Sequence, residues 1–170
     1  MNEQHTGHPP IRTKMNDHLT ALADRLTDFR LRETDHGDHG EHVFHRREFQ
    51  LAKLGMVDTF VVARVFDEAP TPEAFTTFSR RAMSLGRRHK FVLPCGLFSA
   101  LVTYPLAIVP TVPPDLSDHI AQYAPKHYSA FEFPALLDAD GHVYMFPGTP
   151  LWGAVHYQGL RAEAEAMFGG

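Results

Sequence analysis

Two apolar runs, and the segment that separates them, constrain this chain more than any other feature. Residues 56–66 read MVDTFVVARVF, β-branched and aromatic with a single acid near the start. Residues 99–109 read SALVTYPLAIV, apolar on both alternating faces, the pattern of a strand inside a covered sheet. Between them Thr71 is a good N-cap, Pro72 suits the first helical position and Glu73 faces the positive end of the helix dipole. Phe75, Phe78, Ala82 and Leu85 then recur at helical spacing. Gly86 reads as the left-handed stop, followed by Arg87, Arg88, His89 and Lys90 at the negative helix end. A helix linking two such strands predicts a right-handed crossover within one mixed sheet.

The flanks fill in around this unit. Met15, Leu19, Leu22, Leu26 and Phe29 mark one face of a helix, capped by Thr13 or Asn16 and ending near Arg32. Residues 1–14 read as a flexible tail and 15–170 as one globular domain. The stretch 33–41 has no apolar residue and reads as a loop. Strands are expected over about 42–53 and 57–66, antiparallel and joined at Gly55. Pro105 cannot donate to a ladder, so the strand over 99–109 is expected either at an edge or bulged. A short helix over 115–123, a strand over 131–137, a turn at Asp138–Gly141, a return strand over 142–146 and a helix over 157–168 complete the reading. The order α-ββ-α-β-α-ββ-α predicts an α+β fold: one mixed, mainly antiparallel sheet of about five strands with helices packed on it.

Charge and cysteine narrow the function. Lys plus Arg number 16 against 20 Asp plus Glu, a formal charge of −4, which does not make the broad basic surface of a nucleic-acid coat. The chain has 12 His, and protonating all of them would carry its charge from −4 to +8. Cys95 is the one cysteine, so no internal disulfide can form and a reducing cytoplasm is the expected compartment. No apolar run approaches the roughly 20 residues of a membrane span, and the N-terminus lacks the apolar core of a secretory signal. P-loop, dinucleotide, zincin, nucleophile-elbow and paired C-x-x-C motifs are absent, and no E-x-K triplet of a nuclease follows Glu48 or Asp58.

Three constellations remain. His36, His39, His42 and His45 recur every third residue between Asp35, Asp38 and Glu41, donors suited to zinc, nickel or copper. If His42 and His45 share a strand they point to opposite faces, so the four cannot all converge. Arg80, Arg81, Arg87, Arg88 and Lys90 are the basic concentration, suited to phosphate or nucleic acid. Residues 123–157 are rich in His and aromatics, with Tyr128, Tyr144, Trp152, His156 and Tyr157 as candidate ligand contacts. Glu132 lies inside the apolar FEFPALL; if it faces inward it needs a partner, for which Lys126, His127 and His142 are at hand. Cys95, in Leu93-Pro-Cys-Gly96, is a weaker catalytic candidate: Arg87 to Lys90 are near in sequence and several His are available, but a lone Cys in a Pro/Gly turn carries no family signature. The leading expectation is a small binding or regulatory domain, with a small-molecule ligand and self-association as a homodimer. One alternative is a metal-dependent hydrolase using the His36–His45 run with Glu132 or His142 as acid–base. The other is a nucleic-acid-associated protein using Arg80–Lys90.

Overall fold

The computed structural model describes residues 10–50, 55–90, 99–127, 130–148 and 154–169, with the backbone alone for 154–156. Helix α1 (Ile11–Asp28) leads into a hairpin of β1 (Arg32–His36) and β2 (Glu41–Gln50), and β3 (Gly55–Val65) follows. Helix α2 (Pro72–His89), β4 (Ser99–Val109), α3 (Pro114–Gln122), β5 (Ala130–Glu132), β6 (Ala135–Asp138), β7 (Val143–Met145) and α4 (Ala154–Phe168) complete the chain. One mixed seven-stranded sheet runs β1-β2-β3-β4-β6-β7, with β5 also paired to β4. Strands β3 and β4 pair in parallel, as a helical crossover between neighbours requires. The fold is α+β as expected, with a larger sheet.

Helices cover both faces. Met15, Leu22 and Leu26 of α1 and Leu160, Ala164 and Met167 of α4 pack over Val61, Tyr104 and Leu106. On the other face Phe75, Phe78 and Ala82 of α2 and Leu116 and Ile120 of α3 pack over Phe60, Val62 and Leu101. Removing this much apolar area from water on two faces is the main source of the fold's stability.

Five expectations need correction. Helix α1 starts at Ile11, inside the expected tail, and ends at Asp28. Arg32–His36 is a strand rather than loop, because its residues complete a hairpin across Gly37 and Gly40. All five are exposed and mostly charged, a composition that discourages pairing with another chain at this sheet edge. Gly86 does not stop α2. The helix runs on to His89, and a Cβ at Gly86 would meet Thr103 Oγ1 at 2.8 Å, so the glycine lets α2 lie close against β4.

Pro105 is neither at an edge nor bulged. It lies within β4, which pairs with β3 on one side. On the other side the partner is interrupted: β5 covers residues 101–103, β6 covers 106–109, and Phe133 and Pro134 fall between. The missing N–H of Pro105 coincides with that break. The single strand expected over 131–137 is therefore two, and Glu132 is the last residue of the first.

Candidate functional site

Glu132 is the buried acid at this break. Its register partner on β4 is Thr103, so its side chain leaves the sheet on the α2 side, in the row that holds Phe60. The carboxylate is fully buried. Such a group is tolerated only with partners: Ser79 of α2 donates its hydroxyl to Oε1 at 2.5 Å, and His127 meets Oε2 through Nε2 at 2.5 Å. Arg87 lies one guanidinium nitrogen from His127 Nδ1, at 3.3 Å. Arginine only donates, so Nδ1 is the acceptor and the ring proton sits on Nε2, facing Glu132. The result is a chain of donors from the exposed Arg87 through His127 to Glu132, met from the core side by Ser79.

Two tyrosines register the charge. Burial first, then the negative Glu132, raises the Tyr123 phenol above its usual range, while Ser79 and Arg80 pull it down. Burial and then Glu132 push Tyr157 up to about 12. Arg80 and Arg87 are seven residues apart, two turns of α2, so they share a side of the helix. The site thus has a floor of Glu132 and Ser79 and a rim of Arg80, Arg87, His127 and Tyr123. Chemically it offers guanidinium donors and an imidazole held in one tautomer. It is not a nucleophilic triad: the acid stands between serine and imidazole, whereas a triad needs the imidazole in the middle.

The His run divides among three places. His36 and His42 are direct cross-strand partners on β1 and β2. A bulge between Glu33 and Asp35 turns Glu33 to the same face, and Glu33 Oε1 lies 2.7 Å from His42 Nδ1 and 3.5 Å from His36 Nδ1. This His/Glu cluster is the one group of potential metal ligands among the described residues. His39 sits in the turn, its N–H bonded to Glu41. His45 faces the other way, stacked on Phe60 with Nε2 2.8 Å from the fully buried Asp58, which Arg47 also contacts at 2.7 Å.

The remaining candidates are dispersed. His142 and Tyr144 both bond Asp138 in the β6–β7 turn, at 3.1 and 3.2 Å. Burial opposes ionisation of Asp138, but the backbone and ring of His142 and the Asp140 N–H hold its carboxyl below the usual range. Neither Glu132 nor His142 joins the His36–His42 cluster: from β2 to β5 is three strand spacings, roughly 14 Å. Tyr157 is in the core. Arg81 is drawn away from the basic patch by Glu41 at 2.8 Å and Asp38 at 3.5 Å, Arg88 is exposed and Lys90 caps α2. Cys95, Tyr128 and Trp152, and the side chain of His156, lie outside the described residues.

Sequence reasoning missed Ser79 and Glu33. Ser79 reads as one polar position on a helix. Glu33 becomes visible only if the two glycines of HGDHG are taken as hairpin residues, which pairs 36 with 42 about position 39. It also missed a second polar network, on the α4 side. There Arg46 and Tyr104 meet Glu163, both at 2.6 Å, and Tyr104 is raised well above its usual range by burial and then by Glu163. Comparison with known proteins gives no match to any family model, curated protein or solved structure.

Proposed function

We propose that this chain is a binding domain for a small molecule bearing an anionic group, a phosphate or carboxylate, taken at the rim formed by Arg80, Arg87, His127 and Tyr123. The observation that supports this reading is the contact between Arg87 and His127, which joins the basic stretch of α2 to the His- and aromatic-rich C-terminal third. Guanidinium groups suit planar oxyanions, and the buried Glu132 keeps the imidazole in place. Arg87 donates to His127 alone among the described contacts, so an anion can take it over without breaking an ion pair. The reading needs neither nucleic acid nor a second copy, and a cytoplasmic location suits it, since the lone Cys95 stays reduced there.

The test is calorimetric titration of the untagged chain with inorganic phosphate, small phosphomonoesters and small carboxylates, at low and moderate salt. One saturable site is expected, weakened about tenfold by Arg87→Ala, the loss of one charge-assisted contact of about 1.4 kcal/mol. An affinity unchanged in that variant contradicts the reading. A steep salt slope with nucleic acid as the better ligand would favour the basic patch as a nucleic-acid surface instead. A second reading, transition-metal binding by the His-rich hairpin of β1 and β2, is favoured by the convergence of Glu33, His36 and His42.

A further inference from the structure

Within that second reading, on which this inference rests, we infer a specific centre: Glu33 Oε1, His36 Nδ1 and His42 Nδ1 bind one zinc-class divalent ion from the outer edge of the sheet and leave a coordination position to solvent. Three features carry it. The first is distance. Metal–ligand bonds of about 2.0–2.2 Å at tetrahedral angles put ligand atoms about 3.3–3.6 Å apart, and Glu33 Oε1 is 3.5 Å from His36 Nδ1 and 2.7 Å from His42 Nδ1. One ligand atom from each of the three residues lies within 4.8 Å of the other two, so closing on an ion takes only small side-chain adjustments.

The second is preorganisation. His36 and His42 are fixed opposite each other by the ladder. The bulge that turns Glu33 towards them is pinned by Thr34, whose hydroxyl bonds Val43 O at 3.3 Å. The turn is closed by Gly37 N–H to Glu41 O at 2.8 Å, with Gly40 at φ 77°, a conformation that favours glycine. Glu41 is itself buried and anchored by Arg81. The ligand-bearing frame therefore needs no reorganisation of the backbone when the ion arrives.

The third is donor chemistry. Two imidazoles and one carboxylate suit zinc, nickel or copper, whereas calcium and magnesium prefer all-oxygen sets. His36 is largely exposed, at 69%, so the ion is open to water on that side. In the metal-free arrangement the Glu33–His42 hydrogen bond needs a proton on Nδ1. Coordination through Nδ1 requires the tautomer with the ring proton on Nε2.

The experiment is calorimetry of untagged, chelator-treated protein with Zn2+, repeated for Glu33→Gln, His36→Ala, His42→Ala and, as a control in the same hairpin, His39→Ala. One ion per chain is expected, with affinity lowered at least about tenfold by His36→Ala or His42→Ala, less by Glu33→Gln, and unchanged by His39→Ala. The substituted side chains are at the surface edge, and circular dichroism checks that each variant is folded. The Co2+-loaded protein should change its visible spectrum when a small anion such as azide is added, reporting the open position. No binding by the wild type overturns both the inference and the reading beneath it. Stoichiometric binding that survives His36→Ala and His42→Ala, or that falls equally with His39→Ala, overturns the inference alone and leaves a diffuse His-rich chelator. A spectrum indifferent to the anion overturns the open position.

Discussion

At the scale of single residues, the buried carboxylates decide most. Glu132 was legible as an acid in an apolar strand that must find a partner or face water, and His127 was among its expected partners. Ser79 was not legible, because a hydroxyl on a helix carries no signal until the helix is laid against the sheet. Replacing Glu132 by Ala removes the acceptor of both Ser79 and His127. Unfolding in urea should then show a loss of roughly 1–3 kcal/mol from the unpaired donors; an unchanged midpoint would mean that they find water without penalty. Tyr157 gives a pH prediction. Its phenol is raised to about 12 in the folded chain against 10.0 in an exposed tyrosine, so the folded state holds its proton where the unfolded state has begun to lose it. Stability from this group is complete below pH 10 and is lost as pH rises from 10 towards about 12. The difference between the two states is worth at most roughly 2–3 kcal/mol, less where water screens the ring oxygen. Tyr157→Phe should therefore flatten the alkaline limb of the stability curve; an equally steep limb would place its origin elsewhere, Tyr104 being the next candidate.

At the scale of elements, α2 was readable nearly to its ends, since its cap, first-turn proline and apolar stripe all point the same way, and Thr71 does accept a hydrogen bond from the Ala74 N–H. Gly86 was misread because glycine marks both a helix stop and a close approach, and only packing separates the two. The distinction is testable. Propensity alone makes Gly86→Ala stabilising by up to about 1 kcal/mol, whereas a methyl 2.8 Å from Thr103 Oγ1 and 3.3 Å from Phe60 predicts a net loss of about 1–3 kcal/mol. Thermal unfolding reads the sign, and a raised melting temperature would contradict the close packing. The strand β1 was hidden for a different reason. Its residues have no apolar alternation, and its pairing follows from the hairpin rather than from burial. Pro105 signalled an irregularity correctly but not its location, since a missing donor on β4 can be met by breaking the neighbouring strand.

For the whole molecule, the order of helices and strands pointed to a mixed sheet with helices on it, and the two-faced apolar runs became its central strands. What the order could not show was which surface groups meet. Arg87 and His127 are forty residues apart and become neighbours only because the β3–α2–β4 crossover sets α2 over the start of β5. The charge distribution follows the same logic. Arg81 turns to Glu41 and Asp38 while Arg87 turns to His127, so the basic stretch is split across the molecule instead of forming one face. Binding to duplex DNA should accordingly be weak at physiological salt and little affected by charge reversal at Arg88, as a gel-shift series would show; tight binding abolished by that change would restore the nucleic-acid reading. The anion site is the central claim, and its direct test is the imidazole nitrogen spectrum of His127 in labelled protein during titration with phosphate. It should begin as the Nε2–H tautomer and shift saturably at Nδ1 as phosphate draws Arg87 away. A His127 ring in the other tautomer, or one whose nitrogens ignore phosphate, would contradict that claim.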